Sequence, residues 1–268
     1  MPQLLLRGQP LGAVDAVLFD KDGTLSISEP GLISLACSRI ALCLEQVASP
    51  LRPSLRDLLE RAYGISRSAD AIQPAGTMAV ANRDHNLIAT ATALAQVGLG
   101  WPEALATSEA VFAQADHSDP RRNSSGSGSG SGSGSPRASS DTTEGLIPWL
   151  EQLRSAGISC AVISNDDIAG IAHFLASHQL EDYFAASWSA EHRPRKPDPA
   201  AVHGLCAQLG VSAGRCALIG DANSDLRMAV AAGIPQQLAL GYTAGWSNPP
   251  PLAEAHPLVN GWSELALG

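Results

Sequence analysis

Apolar and polar positions alternate along this chain in two distinct rhythms. From Gly31 to His117 the apolar residues fall at helical spacing. The stretch "LISLACSRIALCLEQVA" (Leu32–Ala48) predicts a helix that Ser49-Pro50 stops, and "SLRDLLERAYG" predicts a second that Gly64 closes. The alanine-rich "AGTMAVANRDHNLIATATALAQVGLG" predicts one long helix or a broken pair. "PEALATSEAVFAQA" predicts a last one that opens with proline in its first turn. Further on the rhythm changes. The helical segments "EGLIPWLEQLRSAG", "DIAGIAHFLASHQ", "PAAVHGLCAQLG" and "SDLRMAVAAG" are each followed by a short apolar run: "ISCAVIS", "AASWS", "RCALIG" and "IPQQLAL".

Strands alternating with helices of about 10–15 residues predict right-handed crossovers and a parallel sheet. With Ala13–Phe19 as the first strand, the helical segment interrupts the sheet just after it begins. The expected architecture is α/β: a Rossmann-like parallel-sheet core over 1–28 and 136–268, with an inserted all-helical cap over 29–122. "NSSGSGSGSGSGSP" has no apolar period, so residues 123–135 read as a flexible Gly/Ser linker that carries no chemistry.

Composition narrows the partners. A chain of 268 residues can bury a proper core, and its formal net charge is −9 with no block of basic residues. That balance argues against nucleic acid or an anionic membrane as the main partner, because phosphate backbones need a basic footprint. Small anions still fit if positive charge is concentrated in a pocket. The five cysteines contain no C-x-x-C pair, and Cys160 and Cys216 sit in strand-like runs, which reads as buried, reduced thiols. "MPQLLLRGQPLG" is too short in apolar residues for a signal peptide, and no stretch reaches the roughly 20 apolar residues of a membrane helix. A cytoplasmic protein, monomer or homodimer, is expected.

In open parallel sheets, ligands bind outside the carboxyl ends of the strands. The first strand runs into Asp20-Lys21-Asp22-Gly23-Thr24, and "CAVIS" ends in Ser164-Asn165. "SWSA" leads to "EHRPRKPDP" with Lys196, and "CALIG" ends in Asp221-Ala222-Asn223-Ser224-Asp225. Each has an ordinary structural explanation: Asx-Gly turns punctuate chains, and Ser, Asn and Asp cap helices. Together they bring Asp20, Asp22, Asp221, Asp225, the Ser164 hydroxyl and Lys196 to one edge. Clustered carboxylates need a cation, and Mg²⁺ suits carboxylate oxygens and a substrate phosphate. A lysine and a hydroxyl beside it can hold phosphoryl oxygens. One carboxylate can then accept a phosphoryl group while a second moves protons.

"DKDGTL", "SN", "RKPDP" and "GDANSD" resemble, in order, the four motifs of the haloacid dehalogenase superfamily of phosphotransferases. The stretch "KPDPAAVHGLCAQLGVSAGRCALIGDANSDLRMAVAAG" is similar to members of the phosphoglycolate-phosphatase type, which carry a helical cap between the first and second motifs. The resemblance implies a Mg²⁺-dependent phosphatase that acts on a phosphorylated small molecule through an aspartyl-phosphate. It implies Asp20 as nucleophile, and Asp22 as general acid/base that also lends its carbonyl to Mg²⁺. Ser164 and Asn165 would hold the phosphoryl group, and Lys196 would stabilise charge on it and on Asp20. Asp221 and Asp225 would complete the metal site. Members of the dehalogenase branch lack an acid at the position of Asp22, so Asp22 favours phosphate chemistry. Alternatives are a sugar phosphomutase of the β-phosphoglucomutase type and a non-catalytic phosphate-binding protein on the same fold. Related phosphatases often continue "DGTLVDS", where this chain has Ser26-Ile27-Ser28-Glu29.

Several residues outside the motifs carry expectations of their own. Thr24 is expected to fix its loop, and Gly23 to supply a tight turn. The Lys21 side chain is expected to point to solvent. Arg39 and the polar "NRDHN" (Asn82–Asn86) are candidates for a substrate-facing patch, set against a solvated helix face. Trp149, Trp188 and Trp246 read as core or loop anchors.

Overall fold

The computed structural model of the chain describes residues 2–66, 68, 70–118, 140–252 and 256–268, so the expected linker over 123–135 lies outside the described residues. It divides into two compact units, Met1–Ser28 with Asp141–Gly268, and Glu29–Ser140. The elements run β1 (Gln3–Leu6), β2 (Gln9–Ala13), β3 (Ala16–Phe19), α1 (Glu29–Glu45), α2 (Arg52–Tyr63), α3 (Thr77–Val80), α4 (Arg83–Gln96) and α5 (Trp101–Ser118). They continue α6 (Leu146–Ser155), β4 (Ser159–Ile163), α7 (Ile168–Ser177), β5 (Phe184–Trp188), α8 (Pro199–Leu209), β6 (Cys216–Gly220), α9 (Asn223–Ala231), β7 (Ala239–Tyr242), β8 (Leu258–Val259) and β9 (Leu265–Leu267).

The first unit is an α/β core with a six-stranded parallel sheet in the order β5-β4-β3-β6-β7-β8. Every residue of β3 and of β6 is buried, as expected for central strands covered on both faces. The chain steps outward from β3 through β4 to β5, then crosses back to β6 on the other side of β3. That reversal opens a crevice at the carboxyl ends of β3 and β6. Asp20 follows the first of these strands and Asp221 the second.

The apolar run Ala13–Phe19 is not one strand. Ala13 closes β2, opposite Gln3, and the parallel ladder starts only at Ala16. At the break, the Arg215 guanidinium grips Asp15 through two hydrogen bonds of 2.7 and 2.9 Å. The leucine triplet near the N-terminus forms β1 of a hairpin, with Leu4 and Leu6 buried. Arg7 and Gly8, at φ 51° and 78°, make its two-residue turn, the positive-φ geometry that matches strand twist. Strand β9 adds to the other side of β1.

An aromatic stack ties this core to the loop after β3. Trp262 packs against Phe19 at 5.8 Å and stacks on Tyr242 at 4.4 Å between ring centroids. Its indole N–H donates to Thr143 Oγ1 (2.8 Å), and that hydroxyl donates to the Thr24 carbonyl (2.8 Å). Packing deep in the sheet thus sets the position of Thr24.

The second unit is built from α1 to α5. The alanine-rich segment is a broken pair, α3 and α4, and the polar "NRDHN" marks the break. Asn82 caps α4 by accepting from the His85 N–H (2.9 Å). The buried Asn86 amide donates to the carbonyls of Thr77, Ala81 and Asn82. These two side chains are therefore local backbone clamps and not a solvated face, while Arg83, Asp84 and His85 are exposed. Arg39 is also buried, with its guanidinium 3.8 Å over the Phe112 ring and 3.4 Å from Asp116. No helix among the described residues is long and apolar enough to cross a membrane.

Leu18 is fully buried in the middle of β3. Leu18→Ala is expected to destabilise the protein by about 2–5 kcal/mol, read as a lower urea midpoint with an unchanged slope.

Candidate active site

Asp20 is the first residue past β3, and its backbone N–H still bonds to the Ile219 carbonyl of β6 (2.9 Å). The sheet ladder therefore aims this side chain. The loop then turns at Gly23, at φ 80°. A Cβ at Gly23 would overlap the Trp246 ring and come within 2.7 Å of Asp221 Oδ2, so the position accepts only glycine.

The carboxylates of Asp20, Asp221 and Asp225 converge, each offering an oxygen within 4.8 Å of the others, and all three residues are buried. Lys196 reaches this cluster from the loop after β5. Its ammonium is 2.7 Å from Asp20 Oδ1 and 2.9 Å from Asp225 Oδ1, and it also donates to the Ile163 carbonyl at 3.3 Å. Burial opposes the charge on Lys196, but Asp20 and Asp225 outweigh it, and its pKa is raised. Burial, then the charges of Asp20 and Asp225, push Asp221 well above the usual carboxylate range, against a hydrogen bond from Trp246. Burial and Asp20 likewise push Asp225 up to about 6, against the pull of Lys196. Three carboxylates against one ammonium leave negative charge uncompensated in a dry site. That hard oxygen donor set fits a divalent cation such as Mg²⁺.

Ser164 and Asn165 follow β4 on the same edge. The Ser164 N–H donates to the Trp188 carbonyl (2.9 Å), and its hydroxyl accepts from the Asp166 N–H (3.1 Å). Ser164 is buried and Asn165 is half-buried. Thr24 is buried, with its hydroxyl 3.4 Å from Asp221 Oδ1.

A family model of haloacid dehalogenase-like hydrolases matches residues 14–233. The chain belongs to that family. Among curated relatives, it is 31% identical over 109 residues to the phosphoglycolate phosphatase of Yersinia pestis, an alignment covering 40% of this chain and 46% of that protein. It is 32% identical over 116 residues to the phosphoglycolate phosphatase of Pseudomonas savastanoi pv. phaseolicola, covering 43% and 42%. The chain thus spans less than half the length of these curated relatives. Among solved structures, a predicted phosphoglycolate phosphatase from Haemophilus somnus superposes with a TM-score of 0.63 at 19% identity, covering 94% of this chain and 96% of that one. At that identity the likeness establishes the shared fold.

Within this family framework the Asp22 carboxylate stands apart from the converging three. Its Oδ1 accepts from Lys21 Nζ (2.6 Å), from the Ser28 hydroxyl in a short contact, and from the Ser26 hydroxyl at 3.5 Å. Two hydroxyls thus serve this acid: Ser26, which departs from the Val of "DGTLVDS", and Ser28, which matches its Ser. Lys21 does not point to solvent. Its ammonium is buried between Asp22 and Asp166 (3.1 Å to Asp166), 5.7 Å from the Phe174 ring centroid. Burial again opposes its charge, but Asp22 and Asp166 hold its pKa raised. The physical reason is compensation: a lysine between two carboxylates gains more from them than it loses in hydration.

Trp246, which the sequence marks only as a core or loop anchor, is buried and also touches the acid cluster. Its indole N–H donates to Asp221 Oδ2 at 2.6 Å. The rule that pointed to the four motif loops would have reached it, because Trp246 lies just beyond the carboxyl end of β7. From Thr243 to Leu252 that loop carries no charged residue.

Lys21→Met leaves two partly buried carboxylates without their cation. A stability loss of about 1–3 kcal/mol is expected in urea unfolding, below that of a fully buried pair because both acids keep some solvent. The acid cluster has a pH signature as well. A folded Asp225 value of about 6 lies above its ordinary 3.8, so the metal-free folded state binds more protons than the unfolded state between them. The contribution of Asp225 to stability is therefore full below about pH 4 and is lost as pH rises through about 6. Added Mg²⁺ should raise the thermal midpoint of chelator-treated protein more near neutral pH than near about pH 5, measured by scanning fluorimetry.

Proposed function

We propose that this chain hydrolyses the phosphomonoester of a small metabolite through a phosphorylated aspartate. The observation that carries the reading is the Lys196 ammonium set between Asp20 and Asp225, with Asp221 in the same buried cluster. Membership of a hydrolase family supports it.

In this reading an Asp20 carboxylate oxygen attacks phosphorus, and the bond from phosphorus to the ester oxygen breaks. Asp22 gives a proton to that leaving oxygen, so the alcohol departs neutral. Asp22, now a carboxylate, takes a proton from water as the water oxygen attacks phosphorus. Inorganic phosphate leaves and the Asp20 carboxylate is regenerated. Lys196 tempers the charge on Asp20 and on the phosphoryl oxygens. The Ser164 hydroxyl and the Asn165 amide hold those oxygens in line with the attack. Asp20, Asp221 and Asp225 would hold Mg²⁺, with the main-chain carbonyl of Asp22 as a further ligand. The ion would supply positive charge to offset repulsion between nucleophile and phosphate. The donors on Asp22 hold its carboxyl in one orientation, apart from the cation cluster.

The names of the curated relatives make phosphoglycolate the first substrate to test. Purified protein is expected to release phosphate from an aryl phosphate with Mg²⁺, and from one or more members of a metabolite panel that includes phosphoglycolate. Asp20→Asn should cut turnover by at least about 10³-fold, since an amide is a poor nucleophile. Turnover kept by that variant would remove Asp20 from its role, and a silent panel with wild type would remove the hydrolase reading.

A further inference from the structure

Trp246 lies on the loop after β7, outside all four motif segments. Its residue is only 6% exposed, yet its polar edge is spent on a single partner, Asp221 Oδ2 at 2.6 Å. An indole nitrogen can only donate, so the bond has one direction. The ring is also clamped. A Cβ on Gly23 would overlap it, and a Cβ on Gly245 would run into the Gly23 carbonyl. The loop after β3 and the loop after β7 therefore meet at backbone distance, with the indole wedged beside them. A bulky ring that cannot shift, bonded to one oxygen of a carboxylate, leaves that carboxylate a single orientation.

We propose that Trp246 is the positioning residue of the cation site: its N–H locks Asp221 into the orientation in which it faces Asp20 and Asp225. This inference rests on the proposed reading of those three acids as the site of a divalent cation. Without the N–H, the buried Asp221 carboxylate loses the shorter of its two neutral donors and is free to rotate toward the other, the Thr24 hydroxyl, 3.4 Å from its Oδ1. Ordering that carboxylate again would then cost part of the binding free energy of the ion. Outer hydrogen bonds of this kind are worth about 10- to 100-fold in metal affinity.

The test is Mn²⁺ binding to the full chain without substrate, followed by the electron paramagnetic resonance signal of free Mn²⁺. Trp246→Phe is expected to weaken binding by about 10- to 100-fold, with Asp221→Asn as the comparison. Because Phe also trims the ring, a second variant carries site-specifically incorporated benzothienylalanine at 246. It replaces the N–H by sulfur and keeps the bicyclic shape. The same loss of affinity with the thermal midpoint of metal-free protein kept supports the positioning role. Wild-type affinity in the benzothienylalanine variant overturns it and makes Trp246 a packing residue. If wild type binds Mn²⁺ and Asp221→Asn binds it equally well, or if wild type binds none, the reading of the acid cluster falls and this inference falls with it.

Discussion

Three carboxylates and one ammonium are packed into the dry edge of a parallel sheet, and the core unit is organised around keeping them there. Like charges at this spacing repel strongly wherever water is excluded. Lys196 offsets part of the repulsion by lying between Asp20 and Asp225, and its own burial is tolerable only because both are present. Burial, together with the remaining negative charge, raises the proton affinity of Asp221 and Asp225. A site that holds protons this tightly at an acid cluster is also one that favours a divalent cation in their place. Stability and chemistry draw on the same electrostatic tension.

Such a cluster needs a backbone that does not yield. Strands β3 and β6 lie side by side, buried along their whole length, and deliver Asp20 and Asp221 to the same crevice. The aromatic contact of Phe19 with Trp262 continues through Thr143 to the Thr24 carbonyl, so core packing reaches the loop that carries the nucleophile candidate. Close approach then demands small residues. A Cβ at Gly23 would strike the Trp246 ring, and one at Gly220 would lie 2.7 Å from Asp225 Oδ2. At Gly23 glycine is a matter of space as much as of backbone angle, and at Gly220 of space alone.

Around this cluster sits a second, separate charge system. Lys21 joins Asp22 to Asp166, and Ser26 and Ser28 complete the environment of Asp22. Two lysines thus serve two sets of acids on one sheet edge. Lys196 serves the converging three, while Lys21 serves the acid proposed to move protons. Separate counter-charges let neighbouring carboxylates have different environments, which is what separate roles for Asp20 and Asp22 require.

The alternation of short apolar runs with helical segments was enough to read an α/β fold with a parallel sheet and a helical insertion, because periodicity and turn residues are local properties. The acids at the strand ends were legible for the same reason. The N-terminal hairpin was missed because its signal is only three leucines and an Arg-Gly turn. Ala13 was assigned to the wrong strand because apolar character alone does not show where one strand stops and the next begins. The side chains of Lys21 and Trp246 could not be placed from the sequence at all. Their positions depend on partners far along the chain, Asp166 for Lys21 and Asp221 for Trp246. The sequence by itself determined which chemical groups line the carboxyl edge, since each follows a strand that its own residues specify. Only the tertiary structure decided how those groups pair, because pairing depends on distances between loops that the chain brings together by folding.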